Sequence, residues 1–273
     1  MITTEPLYYL NPDAEGYFTI AFKTGERFFQ ESYPLRELNN CLSFTMWFNL
    51  DTYITQNIFS QPNRKCINLS HITQSFVDLD TYKTDFGFQP PEKQAEDVLN
   101  HCVQNQIPLP SIINFSGQGL HVKWFYAQNV SAAVLPEWQL LENQLIQKFH
   151  RVSADASAKD ASRMLRLTGT KNPKTGKLAS TLYENKEDGG IKRYDFYSLY
   201  QSIVPEVVKP EPFSSPKKNT VLQPGSIISL MKMNWLRVLD IIKLAEIRGY
   251  DKSVPTGSRN NFLFVISCHP LWR

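Results

Sequence analysis

The 273-residue sequence has no run of about 18 apolar residues, the length a helix needs to cross a bilayer. Its N-terminus, Met1-Ile2-Thr3-Thr4-Glu5-Pro6, lacks the basic stretch and apolar core of a secretory signal. A soluble, cytoplasmic protein without a membrane partner is therefore expected. Cysteine is sparse. Cys41, Cys66, Cys102 and Cys268 include no Cys-x-x-Cys pair and sit in largely apolar surroundings, so they read as reduced core thiols. His101 beside Cys102 offers half of a zinc site, but no second pair stands at ligand spacing, and no zinc is expected. Charge excess is also missing. With 29 Lys and Arg against 26 Asp and Glu, the net charge is only +3, so any surface for nucleic acid must be local. Internal repeats and low-complexity tracts are absent as well.

Apolar residues are plentiful. They make up 42% of the chain, with 12% aromatic, enough for one large domain or two modest ones. Residues 17–33 alternate aromatic and polar side chains about Lys23-Thr24-Gly25-Glu26, which predicts a β-hairpin. A short helix after Pro34 and a strand from Thr52 to Phe59 follow, and Asn68-Leu69-Ser70 reads as a turn or short helix. Gln74 to Lys83 predicts a strand with Val77 and Leu79 facing a core and Phe76, Asp78 and Asp80 on the other face. Ala95, Val98, Leu99, Cys102 and Val103 recur at helical spacing behind Pro91-Glu92, so a helix of about four turns follows this strand. Ser111–Phe115 and Leu120–Tyr126 read as a second hairpin whose turn is Ser116-Gly117-Gln118-Gly119. A further helix carries Trp138, Leu141, Leu145 and Phe149 on one stripe. Strands alternating with helices make the class α+β or α/β.

Two carboxylates on one strand face, Asp78 and Asp80, repel each other unless a cation neutralises them, and hard oxygen donors suit Mg²⁺ or Mn²⁺. An acidic strand end entering a turn has the same sequence. His121 follows on the second hairpin, where it is either a phosphate contact or a solvent-facing strand histidine. Asp155 is either a third acid or the cap of a helix starting at Ala156. Arg163 and Arg166, three apart, fall on one face of that helix, available to phosphates or to Asp160. Lys171, Asn172, Lys174, Gly176 and Lys177 form a basic loop suited to a phosphate backbone. Trp124, Phe125 and Tyr126 are stackable aromatics or core.

In order, Val77-Asp78-Leu79-Asp80, Ser116-Gly117-Gln118-Gly119-Leu120-His121 and Arg163-Met164-Leu165-Arg166-Leu167-Thr168-Gly169-Thr170-Lys171-Asn172 resemble the archaeo-eukaryotic primase superfamily, specifically the primases and primase-polymerases of plasmids, phages and integrative elements. The resemblance spans residues 50–175. It implies an α+β catalytic core, an RRM-like antiparallel sheet with a second α/β module. It also implies a template-directed nucleotidyltransferase that makes primers on single-stranded DNA from NTPs or dNTPs. Asp78, Asp80 and Asp155 become ligands of two Mg²⁺ or Mn²⁺ ions. His121, Ser116, Arg163 and Arg166 become nucleotide contacts, and Lys123, Lys171, Asn172 and Lys174 nucleic-acid contacts. A replicative helicase, fused or separate, and a single-strand-binding protein are the implied partners.

Two other functions fit the same residues: a non-catalytic single-strand-binding or replication-initiation module on an RRM-like sheet, and a metal-dependent nuclease. For organisation, residues 1–204 are expected to form the catalytic domain and 205–225, with Pro205, Pro210, Pro212, Pro216 and Pro224, a linker. Residues 226–273, apolar at helical periods, would begin a helical domain. Thr256-Gly257-Ser258-Arg259-Asn260-Asn261 resembles the entry to the helical domain of mobile-element primases, and the abrupt apolar end suggests a piece of a longer protein.

Overall fold

The computed structural model describes residues 4–44 and 50–205. Among them, nine strands make one antiparallel sheet: β1 (Tyr17–Thr24), β2 (Arg27–Pro34), β3 (Asp51–Thr55), β4 (Ile58–Phe59), β5 (Leu69–Leu79), β6 (Ile112–Phe115), β7 (Leu120–Ser131), β8 (Met164–Arg166) and β9 (Ser180–Glu184). Their order is β8-β3-β1-β4-β5-β7-β6-β9, with β2 paired to β1 off this path. A separate ribbon joins β10 (Lys186–Glu187) to β11 (Gly190–Ile191). The helices are α1 (Leu38–Ser43), α2 (Pro91–Gln104), α3 (Leu135–Lys148) and α4 (Phe196–Ile203). The α+β class with a large antiparallel sheet holds, and both expected halves share that sheet.

The chain leaves β5, runs through α2 and returns as β6, and β7 is then inserted between the two, a split β-α-β arrangement. Pro91 opens α2 where a missing N–H costs nothing, and Ala95, Val98 and Cys102 point into the core at the expected spacing. They meet Val77, Leu79, Val122 and Trp124 from the sheet and Leu141 and Leu145 from α3. A second core gathers Phe18, Ile20, Leu35, Leu38, Ile54, Phe125 and Leu167. Coverage of both faces corrects the expectation for Phe76, which is fully buried against Trp138 at a centroid distance of 6.1 Å.

β4 is too short to pair with most of β5. The exposed backbone edge is completed by side chains of α3, as buried amides require. Trp138 Nε1–H donates to the Gln74 carbonyl at 3.0 Å, and Glu142 Oε1 accepts from the Phe76 N–H at 3.3 Å.

Several local expectations change. The strand predicted over 52–59 is two strands, because the Asn57 side chain takes up backbone groups of Thr73 and Ala161 in between. β5 starts at Leu69 rather than Gln74. No helix starts at Ala156. Asp155 Oδ1 instead accepts the Ser157 N–H at 2.9 Å in a tight turn, and 164–166 pairs with β3 as β8. Arg163 and Arg166 therefore do not share a helical face. Trp124, Phe125 and Tyr126 are core. Cys102 is buried, but Cys41 is half-buried and Cys66 exposed, so the core-thiol reading holds for Cys102 alone of these three. Cys268, the linker beyond Pro205 and the segment 226–273 lie outside the described residues.

Gly119 shows why the β6–β7 turn needs glycine. A Cβ there would lie 2.3 Å from the Leu79 carbonyl oxygen, a backbone atom that cannot yield without moving β5. Gly119→Ala is expected to cost about 2 kcal/mol, as overpacking does. Gly190→Ala, whose Cβ meets nothing nearer than 4.0 Å, serves as the control in thermal melts. Equal melting temperatures for the two variants would refute the account.

Candidate active site

Asp78 is the penultimate residue of β5 and Asp80 lies just beyond its end, in the alternation that puts both on one face. The third acid arrives by backbone pairing. An antiparallel bridge joins Leu79 to Ala154, with the Asp155 N–H donating to the Asp78 carbonyl at 2.8 Å and the Asp80 N–H to the Ser153 carbonyl at 2.9 Å. Ser153 adopts a left-handed conformation, φ 67°, as the chain turns out of α3 into this bridge. On the other side of β5, His121 stands directly opposite Asp78 in the β5–β7 register, with Nε2 3.9 Å from Asp78 Oδ1.

Asp78, Asp80 and His121 open onto a cleft of about 190 Å³, with Asp155 adjoining it but outside its lining. Asp78, Asp80, His121, Ser116, Arg166, Asn172 and Lys174, all singled out in the sequence, line it together with Tyr53, Tyr82 and Gly119. The remaining expectations divide. Arg163 faces an adjoining cleft, its guanidinium donating to the Ser157 carbonyl at 2.5 Å and lying 3.3 Å from Asp160. The Ser116 hydroxyl is spent on the turn, bonded to the Gly119 backbone at 3.0 Å both ways. Asn172 is buried and braces that turn, donating to the Ser116 carbonyl at 3.4 Å and accepting from the Lys174 N–H at 3.0 Å. Lys171 is exposed in the loop.

Lys123 is a correction. It is 1% exposed, with Nζ 2.6 Å from Glu5 Oε1, 2.7 Å from Gln56 Oε1 and 4.9 Å from the centroid of the Tyr9 ring. Its charge is consumed inside the fold and cannot reach a nucleic acid. Periodicity placed it on the His121 face; only the N-terminal segment folding across that face buries it.

Asp51, Tyr53 and Lys83 are not among the expected site residues. Asp51 holds Arg166 Nη1 in a close ion pair, and the Tyr53 hydroxyl accepts from Nη2 at 3.0 Å, so the arginine is fixed at the cleft wall. The alternation Asp51-Thr52-Tyr53 placed the two on one face, and a partner for Arg166 was the signal to look for. Lys83 Nζ lies 2.5 Å from Asp80 Oδ2.

Electrostatics follow from this crowding. Burial, then the charges of Asp80 and Asp155, push Asp78 up to about 7 from an ordinary 3.8, with Arg163 and Lys83 opposing. Asp155 stays below its usual range. Its partial burial is outweighed by the Ser157 N–H and hydroxyl, with help from Arg163 and Lys83. Burial, then Lys123 and Arg166, hold His121 well below 6.5, so its imidazole is neutral, and Nδ1 has no hydrogen-bond partner.

The donor set fits a hard divalent cation in kind: three carboxylates from two adjoining segments, whose mutual repulsion an ion would relieve. As placed, Asp80 turns to Lys83 and Asp155 to Ser157. Among the described residues no three His, Cys, Asp or Glu side chains stand as a ready-made metal cluster. Both carboxylates must rotate to share an ion.

The Asp78 shift makes a stability prediction. Folded Asp78 keeps its proton up to about pH 7, whereas unfolded it loses it near 3.8, so folding takes up a proton between these values and stability falls as pH rises through that window. The side chain is 24% exposed, so the loss is set at roughly 2 kcal/mol after solvent screening. Asp78→Asn is therefore expected to raise the melting temperature of the metal-free protein at pH 8 and to leave it unchanged near pH 4. A uniform shift across pH would contradict the burial and repulsion that raise Asp78.

No family model matches the chain. A curated replication protein of Clostridium perfringens is 30% identical over 213 residues, which cover 78% of this chain and 48% of the relative, so the chain spans about half the relative's length. Among solved structures, the AEP domain of the cyanophage S-2L primase-polymerase superposes with TM-score 0.53 at 18% identity, over 75% of this chain and 97% of that one. The primase RepB' gives TM-score 0.43 at 14% identity, over 88% and 67%. The fold is that of the archaeo-eukaryotic primase-polymerases, so the resemblance drawn from the three motifs holds at the level of fold.

Proposed function

We propose that this chain is the catalytic domain of a primase or primase-polymerase, a nucleotidyltransferase that copies single-stranded DNA. One observation carries the reading: Asp78, opposite His121, and Asp80 line a cleft together with Arg166 and Lys174, and the Leu79–Ala154 bridge brings Asp155 next to the pair at its margin. Similarity to a replication protein and to a primase-polymerase fold agrees with it.

Asp78, Asp80 and Asp155 would hold two Mg²⁺ or Mn²⁺ ions. Such ions would supply Lewis-acid activation of a 3′-hydroxyl and neutralise charge on a triphosphate, the chemistry that nucleotidyl transfer with loss of pyrophosphate requires. The chain's own residues do the positioning. Arg166, locked by Asp51 and Tyr53, presents fixed donors to phosphate oxygens. Lys174, exposed at the same cleft, adds a second positive charge. Neutral His121 offers a hydrogen bond without the cost of burying a charge.

Incubation with a single-stranded template, labelled nucleotides and Mg²⁺ or Mn²⁺ tests the proposal. Extended products are expected. Shortened strands would make the protein a nuclease, and binding without extension would make it a DNA-binding module.

A further inference from the structure

The cleft lined by Arg163 adjoins the candidate active site. It measures about 250 Å³, shares Tyr53 and Met164 with the catalytic cleft, and is completed by Phe28, Arg64 and Asp160. Strand register explains the continuity. Gln30 of β2 faces Ala21 of β1, Ala21 faces Tyr53 of β3, and Tyr53 faces Arg166 of β8. Residues in such a row share one face of the sheet, and Phe28 lies two residues along β2 from Gln30, on the same face. One sheet surface thus runs from Phe28 to the arginine at the catalytic wall.

Its chemistry is specific. Phe28 is 52% exposed, while its neighbour Phe29 points to the opposite face and stacks on Phe22 at 5.3 Å. Arg64 is tethered, with Nε donating to Gln30 Oε1 at 2.9 Å and Nη1 to the Ser162 carbonyl at 3.0 Å, so its guanidinium is held beside the β2 row. Arg163 adds a second guanidinium, balanced in part by Asp160. An exposed ring flanked by fixed guanidinium groups on an open sheet face matches how single strands are bound: bases stack on the ring and phosphates meet the cations. With Phe29 turned to the opposite face, the single ring of Phe28 among charged groups does not make the broad apolar patch a protein partner needs.

We infer that the Phe28–Arg64 cleft carries the single DNA strand beyond the catalytic cleft, with a base stacked on Phe28 and a phosphate at Arg64. The inference rests on the proposed polymerase reading and assigns the path of its template.

Fluorescence anisotropy with a labelled oligo-dT of about 16 nucleotides, long enough to occupy one complete site, tests it. Phe28→Ala is expected to weaken binding about tenfold through the loss of one stacked base. Phe28→Tyr should restore it, and Phe29→Ala, on the other face, should leave it unchanged. Arg64→Gln should weaken binding and lower the salt slope by about 0.7, the share of one phosphate contact on a single strand, a change that loosened structure alone would not produce. Equal effects of Phe28→Ala and Phe29→Ala, or an unchanged salt slope, overturn the path. If the wild type extends primers while Phe28→Ala binds normally, the path falls and the primase reading stands. A wild type that neither binds nor extends overturns both.

Discussion

Asp78→Asn combined with Asp80→Asn is expected to lower nucleotide incorporation by about 10³-fold, since a divalent ion's stabilisation of developing charge is worth several kcal/mol and each 1.36 kcal/mol is tenfold. Amides keep the shape of the cleft and remove only the charge. Single-strand binding should survive, because Phe28, Arg64 and Lys174 are untouched; an accompanying loss of binding would point to general damage. The same substitution should abolish any rise in melting temperature that Mn²⁺ gives the wild type at pH 8. Activity persisting in this variant would sink the mechanism, whatever the fold. A chain that becomes more stable as it becomes inactive is the signature of carboxylates held together against repulsion for a purpose other than folding.

Lys123 predicts the opposite pairing of effects. Lys123→Met leaves Glu5, 3% exposed, as a buried carboxylate without its cation, and breaking such a pair costs about 3–5 kcal/mol. For a domain of this size that is a fall of roughly 10 °C in melting temperature. Adding Glu5→Gln removes the orphaned charge and should recover much of the loss, which a double-mutant cycle in thermal or denaturant unfolding would measure. If Lys123 touched nucleic acid instead, the single variant would melt normally and bind DNA more weakly. Its position between Glu5 and Gln56 excludes that outcome for a folded chain.

The order of motifs along the chain was legible because it rests on local rules. Period-two alternation gave β1, β2, β6 and β7, period 3.6 gave α2 and α3, and Gly119 sits where a tight approach demands it. The same rules placed Asp78 and Asp80 on one face. They failed where a side chain's fate depends on a distant segment. Around 156–166 the small polar residues read as helix, but β3 offered an unpaired edge, and Met164–Arg166 took it as a strand. Arg166 thereby met Asp51 and Tyr53, more than 100 residues away in sequence, and parted from Arg163.

By itself, then, the sequence determined a mixed α and β class, most of its strands and helices and the candidate acids, since each is encoded in residues within a few positions of one another; the choice of α+β came with the resemblance of the three motifs. Tertiary structure alone decided that the turn after α3 bridges β5 and brings Asp155 to the pair, that the N-terminal segment swallows Lys123, and that Tyr53 joins two clefts. Those outcomes are long-range pairings, and a chain records them only in how its backbone hydrogen bonds and buried charges are satisfied once it has closed on itself. For Asp78 and Asp80, alternation supplied the face, the bridge after α3 supplied the third carboxylate, and burial, then the charges of Asp80 and Asp155, raise Asp78 to about 7.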